Sequence, residues 1–257
     1  MKTLIFLLIL TSTTFHLNGQ DVIREPQPLS AEAAKSDFRS LIEALREYHP
    51  ALYQFSTEKA LEEYADTLLK EIKDSISELQ LHQLIRNYLA RIGCGHTVAV
   101  PSEASYAYFR ATYAFIPFDV YYVAEKMYIK EMHVDGMNQL IGAELVAIDG
   151  KPITEIIREL KDIQPRDGLH ESFVDYSIQD NFRTYYRFLY GHKPMYDVEY
   201  KQKGTAEKII IPAETMLPQK QETKQLLDTT RWKLKQEYQH VELYAFQRDS
   251  KWSVLRV

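Results

Sequence analysis

The chain has 257 residues, with 31 Lys and Arg against 36 Asp and Glu, a formal net charge of −5, 18 tyrosines and one cysteine. Charges of both signs are mixed along it, which excludes the basic footprint of a nucleic-acid binder. A single cysteine excludes an internal disulfide, so stability must come from core packing, and this length can bury one or two cores.

At the N-terminus Lys2 precedes an unbroken apolar run at residues 4–10, and Leu17-Asn18-Gly19 follows. This is the pattern of a secretory signal, residues 1–19, cut after Gly19 to leave Gln20 first. The run is too short to stay as a membrane-crossing helix. The expectation is an exported chain, periplasmic or extracellular, with no stable membrane insertion after cleavage.

Residues 20–29 read as an extended leader. Ser30 then caps a helix with Phe38, Leu41, Ile42 and Leu45 on one stripe, stopped by His49-Pro50. Ser56 is expected to cap a second, with Leu61, Tyr64, Ala65, Leu68, Leu69 and Ile72 inward. Ser77 opens a third with Gln80 as its capping-box partner, and Leu81, Leu84, Ile85, Tyr88, Leu89 and Ile92 face inward. The three make a small bundle within a helical domain, residues 30–100.

Gly93-Cys94-Gly95-His96-Thr97 is a glycine-rich bend into Val98-Ala99-Val100. From residue 113 the apolar period shortens to that of strands, expected at 114–118, 120–123, 127–132 and 144–148. Asp149-Gly150 signals a tight hairpin turn continued by Lys151-Pro152-Ile153. Thr154 is expected to cap a short helix with Ile156, Ile157 and Leu160 inward. A longer helix covers 172–189, ended by Gly191 and Pro194. Two strands, 196–200 and 207–211, flank the Lys203-Gly204 turn. Residues 213–240 read as a polar linker with partial helix, and 241–246 and 252–257 as strands around Asp249-Ser250. The fold class is α+β.

No residue set for covalent chemistry stands out. Ser56-Thr57-Glu58-Lys59 has the Ser-x-x-Lys spacing of acyl-transferring enzymes, but a serine just ahead of a helix is a cap. Cys94 and His96 lack the further ligands of a metal site and the third group that orients a nucleophile's base. His49, His82, His133, His170, His192 and His240 are scattered and read as surface or capping residues. No glycine phosphate loop, dinucleotide fingerprint or Gly-x-Ser-x-Gly is present. No catalytic residue, metal ligand or cofactor is assigned.

Taken in order, these elements resemble the front half of the tail-specific, or C-terminal processing, serine peptidases. Gly95-His96-Thr97 matches that family's Asp-Gly-His-Thr, with Cys94 in place of the aspartate. Gly142, Ile148, Gly150, Pro152 and Ile153 match its PDZ-like hairpin, Asp149 lies in the same turn, and Ile116-Pro117-Phe118-Asp119 resembles the strand that opens it. The resemblance implies a PDZ-like domain at 110–212 and places the start of a truncated peptidase domain at 241–257. The chain ends inside an apolar strand, which implies that more protein would follow. No residue matches the family's serine nucleophile or lysine base, and Ser250-Lys251 lies in the wrong context.

What the resemblance implies is substrate handling. An extended polypeptide, or a protein C-terminus, would add as a strand to a sheet edge. The expected lining is Phe118, Asp119 and Val120 on the strand with Ile156, Ile157 and Leu160 on the helix after the hairpin. The chain would then be the substrate-recognition half of an exported peptidase, working with a separate catalytic chain. The alternative is a stand-alone extracytoplasmic peptide-binding or adaptor module, and a Cys94–His96 hydrolase is the remaining reading.

Overall fold

The computed structural model describes residues 25–112 and 114–215, and beyond them the backbones of strands 232–238, 241–246 and 253–256. The expected signal peptide and Ser250-Lys251 lie outside the described residues. The chain divides into two compact units after residue 216.

The first unit opens with three helices, α1 (Ala31–Tyr48), α2 (Glu58–Glu71) and α3 (Glu78–Ile92). Ser30 Oγ accepts the Ala33 amide at 3.2 Å, and Phe38 and Ile42 on α1 are buried. The cap of α2 is Thr57, which accepts the Ala60 amide, while Ser56 donates its hydroxyl to the Arg91 carbonyl at 2.7 Å. Two neighbouring hydroxyls satisfy the same capping pattern, which is why the sequence reading fell one residue early. Lys59 is exposed and faces Glu63 at 3.8 Å. The capping box of α3 forms in full, with Ser77 and Gln80 bonded reciprocally at 3.2 and 2.9 Å. Phe38 meets Tyr88 edge-on at 5.6 Å, joining α1 to α3 inside the bundle core.

Residues 97–101 are extended without a strand partner, and Val98 and Val100 are exposed. A helix α4 (Glu103–Ala111) follows, capped by Ser102. It was not expected: none of its residues is fully buried, so it carries no clear apolar stripe.

The β-rich part is a six-stranded antiparallel sheet in the order β1-β2-β3-β5-β6, with β4 against β3. The strands are β1 (Phe118–Val123), β2 (Lys126–Met132), β3 (Glu144–Ile148), β4 (Lys151–Pro152), β5 (Met195–Gln202) and β6 (Thr205–Pro212). The two expected strands at 114–118 and 120–123 are one strand beginning at Phe118. Both tight turns are where the sequence puts them. Asp149 and Gly150 have φ of 52° and 77°, and Lys203 and Gly204 have 50° and 86°, the left-handed pair that hairpin twist requires. Ahead of β1, Phe115 exchanges two backbone hydrogen bonds with Glu214, both 3.0 Å, tying the start of β1 to the end of β6. Residue 214, expected in the linker, is thus part of this unit.

Two helices cover the sheet, α5 (Ile153–Asp162) and α6 (Ser172–Tyr190). Pro152 stands at the N-cap of α5 with no side-chain bond, so Thr154 is not its cap. Helix α6 is kinked at Asn181, with φ −121° and ψ 20°. The core between them includes Phe118, Val120, Ile129, Leu145, Ile156, Leu160, Ile178 and Phe182, all essentially inaccessible. Each such side chain contributes about 1.5–3 kcal/mol by burial. The observed class is α+β, as expected.

The second unit is an antiparallel meander of β7 (Trp232–Tyr238), β8 (Val241–Phe246) and β9 (Ser253–Arg256), in register Trp232↔Phe246 and Glu242↔Arg256. Residues 232–238 were expected to be linker. Their alternation of apolar and polar residues from Trp232 to Leu234 is a short strand pattern masked by the lysines and glutamate around it.

Candidate peptide-binding groove

Strand β1 lies at the edge of its sheet: one side pairs with β2, and no described strand pairs with the other. Helix α6 runs along that open side. Phe182 stacks on Phe118 with ring centres 6.2 Å apart and fixes the helix to the strand.

The open edge is closed at two points by polar side chains of α6. The Tyr122 amide points away from β2 and donates to Gln179 Oε1 at 3.1 Å. The backbone alternates in direction, so Val120, two residues earlier, turns its amide and carbonyl the same way. At the head of the strand Arg183 Nε donates to the Ile116 carbonyl at 2.9 Å, and the same guanidinium pairs with the Glu214 carboxylate. Both side chains of that pair are only 13% exposed. Pro117 supplies no amide between them.

The far end of the groove is cationic and anionic together. Lys161 on α5 sits 2.8 Å from Glu171, 3.2 Å from Asp175 and 3.4 Å from Glu125, with its ammonium over the Tyr122 ring. Burial opposes the charge on Lys161, yet hydrogen bonds to Glu171, Tyr122 and Asp175 outweigh it and raise its pKa. The Lys161 hydrogen bond in turn holds the Glu171 carboxyl below its ordinary range.

The residues expected to line the groove are placed differently. Phe118 and Val120 belong to β1, but their side chains point into the core and are fully buried, so only their backbone faces the open edge. Asp119 points to the opposite face and pairs with His133 at 3.0 Å. Ile156, Ile157 and Leu160 are core residues of α5, which packs on β2, β3, β4 and α6 rather than along β1. The flanking helix is therefore α6, not α5. Chain order favoured the first helix after the hairpin. The signal that identifies α6 is its polar stripe at four-residue spacing, Asp175, Gln179 and Arg183, on a helix otherwise packed by aromatic residues.

The Gly95-His96-Thr97 motif joins the helical domain to the loop after α5. The Gly95 amide donates to Asp167 Oδ1 at 2.7 Å, and a Cβ on residue 95 would lie 2.8 Å from that oxygen, so a larger residue there would push the carboxylate aside. Thr97 Oγ1 is 2.8 Å from His49 Nε2. His49 Nδ1 accepts the Ala51 amide at 3.2 Å, which leaves Nε2 as the protonated nitrogen that donates to Thr97. His96 is exposed, and Cys94 packs against the bundle core. The hairpin motif is a second joint. Asp149 accepts the Asp197 amide at 3.0 Å and the Lys193 ammonium at 2.7 Å. Its partner glycines hold turns: Gly142 has φ 84° and donates to the Ile129 carbonyl at 2.8 Å, and Gly150 completes the hairpin. Apart from the exposed His96, these motif residues serve as structural joints and turns. His82, read as a surface residue, is buried.

Among the described residues no group of His, Cys, Asp and Glu could hold a metal ion, and no helix is long and apolar enough to cross a membrane.

Among curated proteins, none matches this chain. Among solved structures it is similar to a CPAF mutant, at 14% identity and a TM-score of 0.49, covering 73% of this chain and 34% of that one. It is similar to mature CPAF complexed with lactacystin at 12% identity and a TM-score of 0.49, covering 73% and 35%. The chain thus spans about a third of those chains' length. The family model described as "PDZ domain" matches residues 112–214, the stretch that holds β1 to β6, α5 and α6.

Proposed function

We propose that this chain holds an extended polypeptide, C-terminus first, as an added strand along β1 in the groove beside α6. The observation that carries this reading is the Tyr122 amide, turned out of the sheet and satisfied by the Gln179 side chain instead of by a strand. A side-chain amide on a helix surface can rotate away, and an incoming peptide carbonyl replaces its bond at little net cost. A peptide antiparallel to β1 brings its terminal carboxylate to the Ile116 end, where Arg183 is held by Glu214. The peptide carboxylate there takes the place of the chain's own glutamate.

The wider reading is a substrate-holding part of an exported, tail-specific peptidase system. The apolar run at residues 4–10 supports export to a periplasmic or extracellular space. The Gly95-His96-Thr97 and Asp149-Gly150 resemblances support the family, and cleavage belongs to a separate catalytic unit.

The test is fluorescence anisotropy of the purified chain with labelled ten-residue peptides of varied C-terminal sequence. Free-acid peptides are expected to bind at least tenfold more tightly than their C-terminal amides. N-methylation at alternate peptide amides is expected to abolish binding, and at the intervening amides to be tolerated. Equal affinity for every N-methyl variant, or no binding by any peptide, contradicts strand addition. Hydrolysis by this chain that is lost on changing one of its own side chains contradicts a separate catalytic unit.

A further inference from the structure

One cavity lies away from the β1 edge. It has a volume of about 240 Å³ and sits where α3, α4 and the C-terminal half of α6 meet. Leu79, Tyr106, Phe109 and Phe188 supply walls that are mostly apolar. For scale, a dry apolar cavity of about 150 Å³ accepts benzene. This space is large enough for a ring or short chain with a polar head.

Three polar side chains give the cavity chemical character, and one of them, the buried Arg187, already donates to the Thr112 carbonyl and hydroxyl, both at 2.8 Å. His82 is 6% exposed, and neither ring nitrogen makes a well-formed hydrogen bond. Its ring meets Phe188 edge-on at 5.1 Å, and on its polar side only the Ala99 backbone approaches, without a well-aligned bond. Arg86, one turn further along α3, lies between the rings of Tyr185 and Phe188, 5.5 and 5.3 Å from their centres. Its Nε donates to the Ile163 carbonyl at 3.1 Å, and no described carboxylate lies within ion-pair distance. Two acids, Glu25 and Glu78, also line the cavity. Glu78 is committed elsewhere, since its Oε1 accepts the Ser102 amide at 2.9 Å.

We propose that this cavity binds a small monocarboxylic acid with an apolar body, a short fatty acid or an aryl-alkyl acid. The body fills the space between α4 and α6. The carboxylate meets the Arg86 guanidinium, and the neutral His82 ring donates its one N–H to a carboxylate oxygen. A buried polar group without a partner is unfavourable, and an anion beside an unneutralised guanidinium is favoured, so the same ligand atom satisfies both. A neutral alcohol of the same length fills the space but leaves the Arg86 charge unanswered. The site is independent of the peptide groove and does not require that reading to hold.

The probes are octanoate and 1-octanol, titrated into the full chain by calorimetry at neutral pH, with circular dichroism to verify that each variant is folded. Octanoate is expected to bind at least tenfold more tightly than 1-octanol. Arg86→Met, which keeps the apolar stem, is expected to remove that preference while leaving 1-octanol binding in place. Leu79→Trp, which fills the cavity from a half-buried position, is expected to abolish binding of both. Three results overturn the proposal: no binding of octanoate, octanoate affinity unchanged in Arg86→Met, or octanoate affinity unchanged in Leu79→Trp, which would mark surface association only. Tighter displacement of octanoate by apolar-ended peptides than by short acids also overturns it, in favour of a second peptide site.

Discussion

Along α6, the turns from Asp175 to Arg183 face β1 and the turns from Tyr185 to Phe188 face the cavity, and the two stretches treat polar groups in opposite ways. Beside β1 the polar side chains of α6 are already engaged: Gln179 serves the Tyr122 amide, and Arg183 serves the Ile116 carbonyl and Glu214. Beside the cavity, a buried histidine and a half-buried arginine are surrounded by rings and lack carboxylate partners. A ligand for the first region must exchange bonds, so its affinity depends on geometry and its specificity on the main chain. A ligand for the second supplies bonds that are missing, so its affinity depends on charge and shape. The helix is kinked at Asn181, within the stretch that faces β1.

The change that breaks this comparison most completely is Phe182→Ala. Phe182 is 1% exposed and stacks between Phe118 and Tyr186, so its loss detaches α6 from β1. Urea unfolding is expected to show a loss of about 3–5 kcal/mol. Arg183→Met comes next, since it leaves the Glu214 carboxylate and the Ile116 carbonyl without their partner. The expected loss is about 2–3 kcal/mol, below the full value for a buried pair because the pair keeps a little water.

His82→Phe sharpens the other half. Burial lowers the His82 pKa below its ordinary 6.5. The unfolded chain therefore takes up a proton that the folded chain refuses. This stability is fully present above about pH 6.5 and is lost as the pH falls through the lower folded value. Glu78 and Glu171 add a second loss at lower pH. Burial works against the Glu78 carboxylate, but hydrogen bonds from Ser102 and Ser105 hold its pKa below 4.5, and Lys161 does the same for Glu171. Thermal melts between pH 7 and 5 are expected to flatten in His82→Phe, with the variant gaining on the parent chain at pH 5, while the drop below pH 4.5 remains. An unchanged slope between pH 7 and 5 would place the titrating group elsewhere.

The smallest effect is expected from Gln179→Ala. Removing the side-chain amide leaves the Tyr122 N–H to water, so stability should change by less than about 1 kcal/mol. Peptide affinity should rise a few-fold, because one bond no longer has to be displaced.

The helical domain was legible because its signals are local. Ser30, the Ser77–Gln80 box, His49-Pro50 and Gly93 mark helix ends within a few residues of the groups they serve. The hairpins at Asp149-Gly150 and Lys203-Gly204 were legible for the same reason. The groove was not. Phe118, Val120, Ile156, Ile157 and Leu160 are apolar at the right spacings, but spacing cannot distinguish a core face from a groove wall. That α6 rather than α5 flanks β1 is set by packing between residues some sixty positions apart, such as Phe118 on Phe182. His82 shows the same limit from the other side, since a histidine in a helix gives no sign of burial until α4 and α6 cover it. The short β7 strand, with its charged neighbours, hid an alternation in a stretch that composition marked as linker.

The most direct test of strand addition at β1 is a nuclear magnetic resonance titration of the amide-labelled chain with a peptide bearing a free C-terminus. The Tyr122 and Val120 amides are expected to shift furthest, the Gln179 side-chain amide to lose its hydrogen-bonded position, and Tyr122 to become protected from hydrogen exchange. Saturating peptide that leaves Tyr122 and Val120 unmoved while amides elsewhere respond would contradict it.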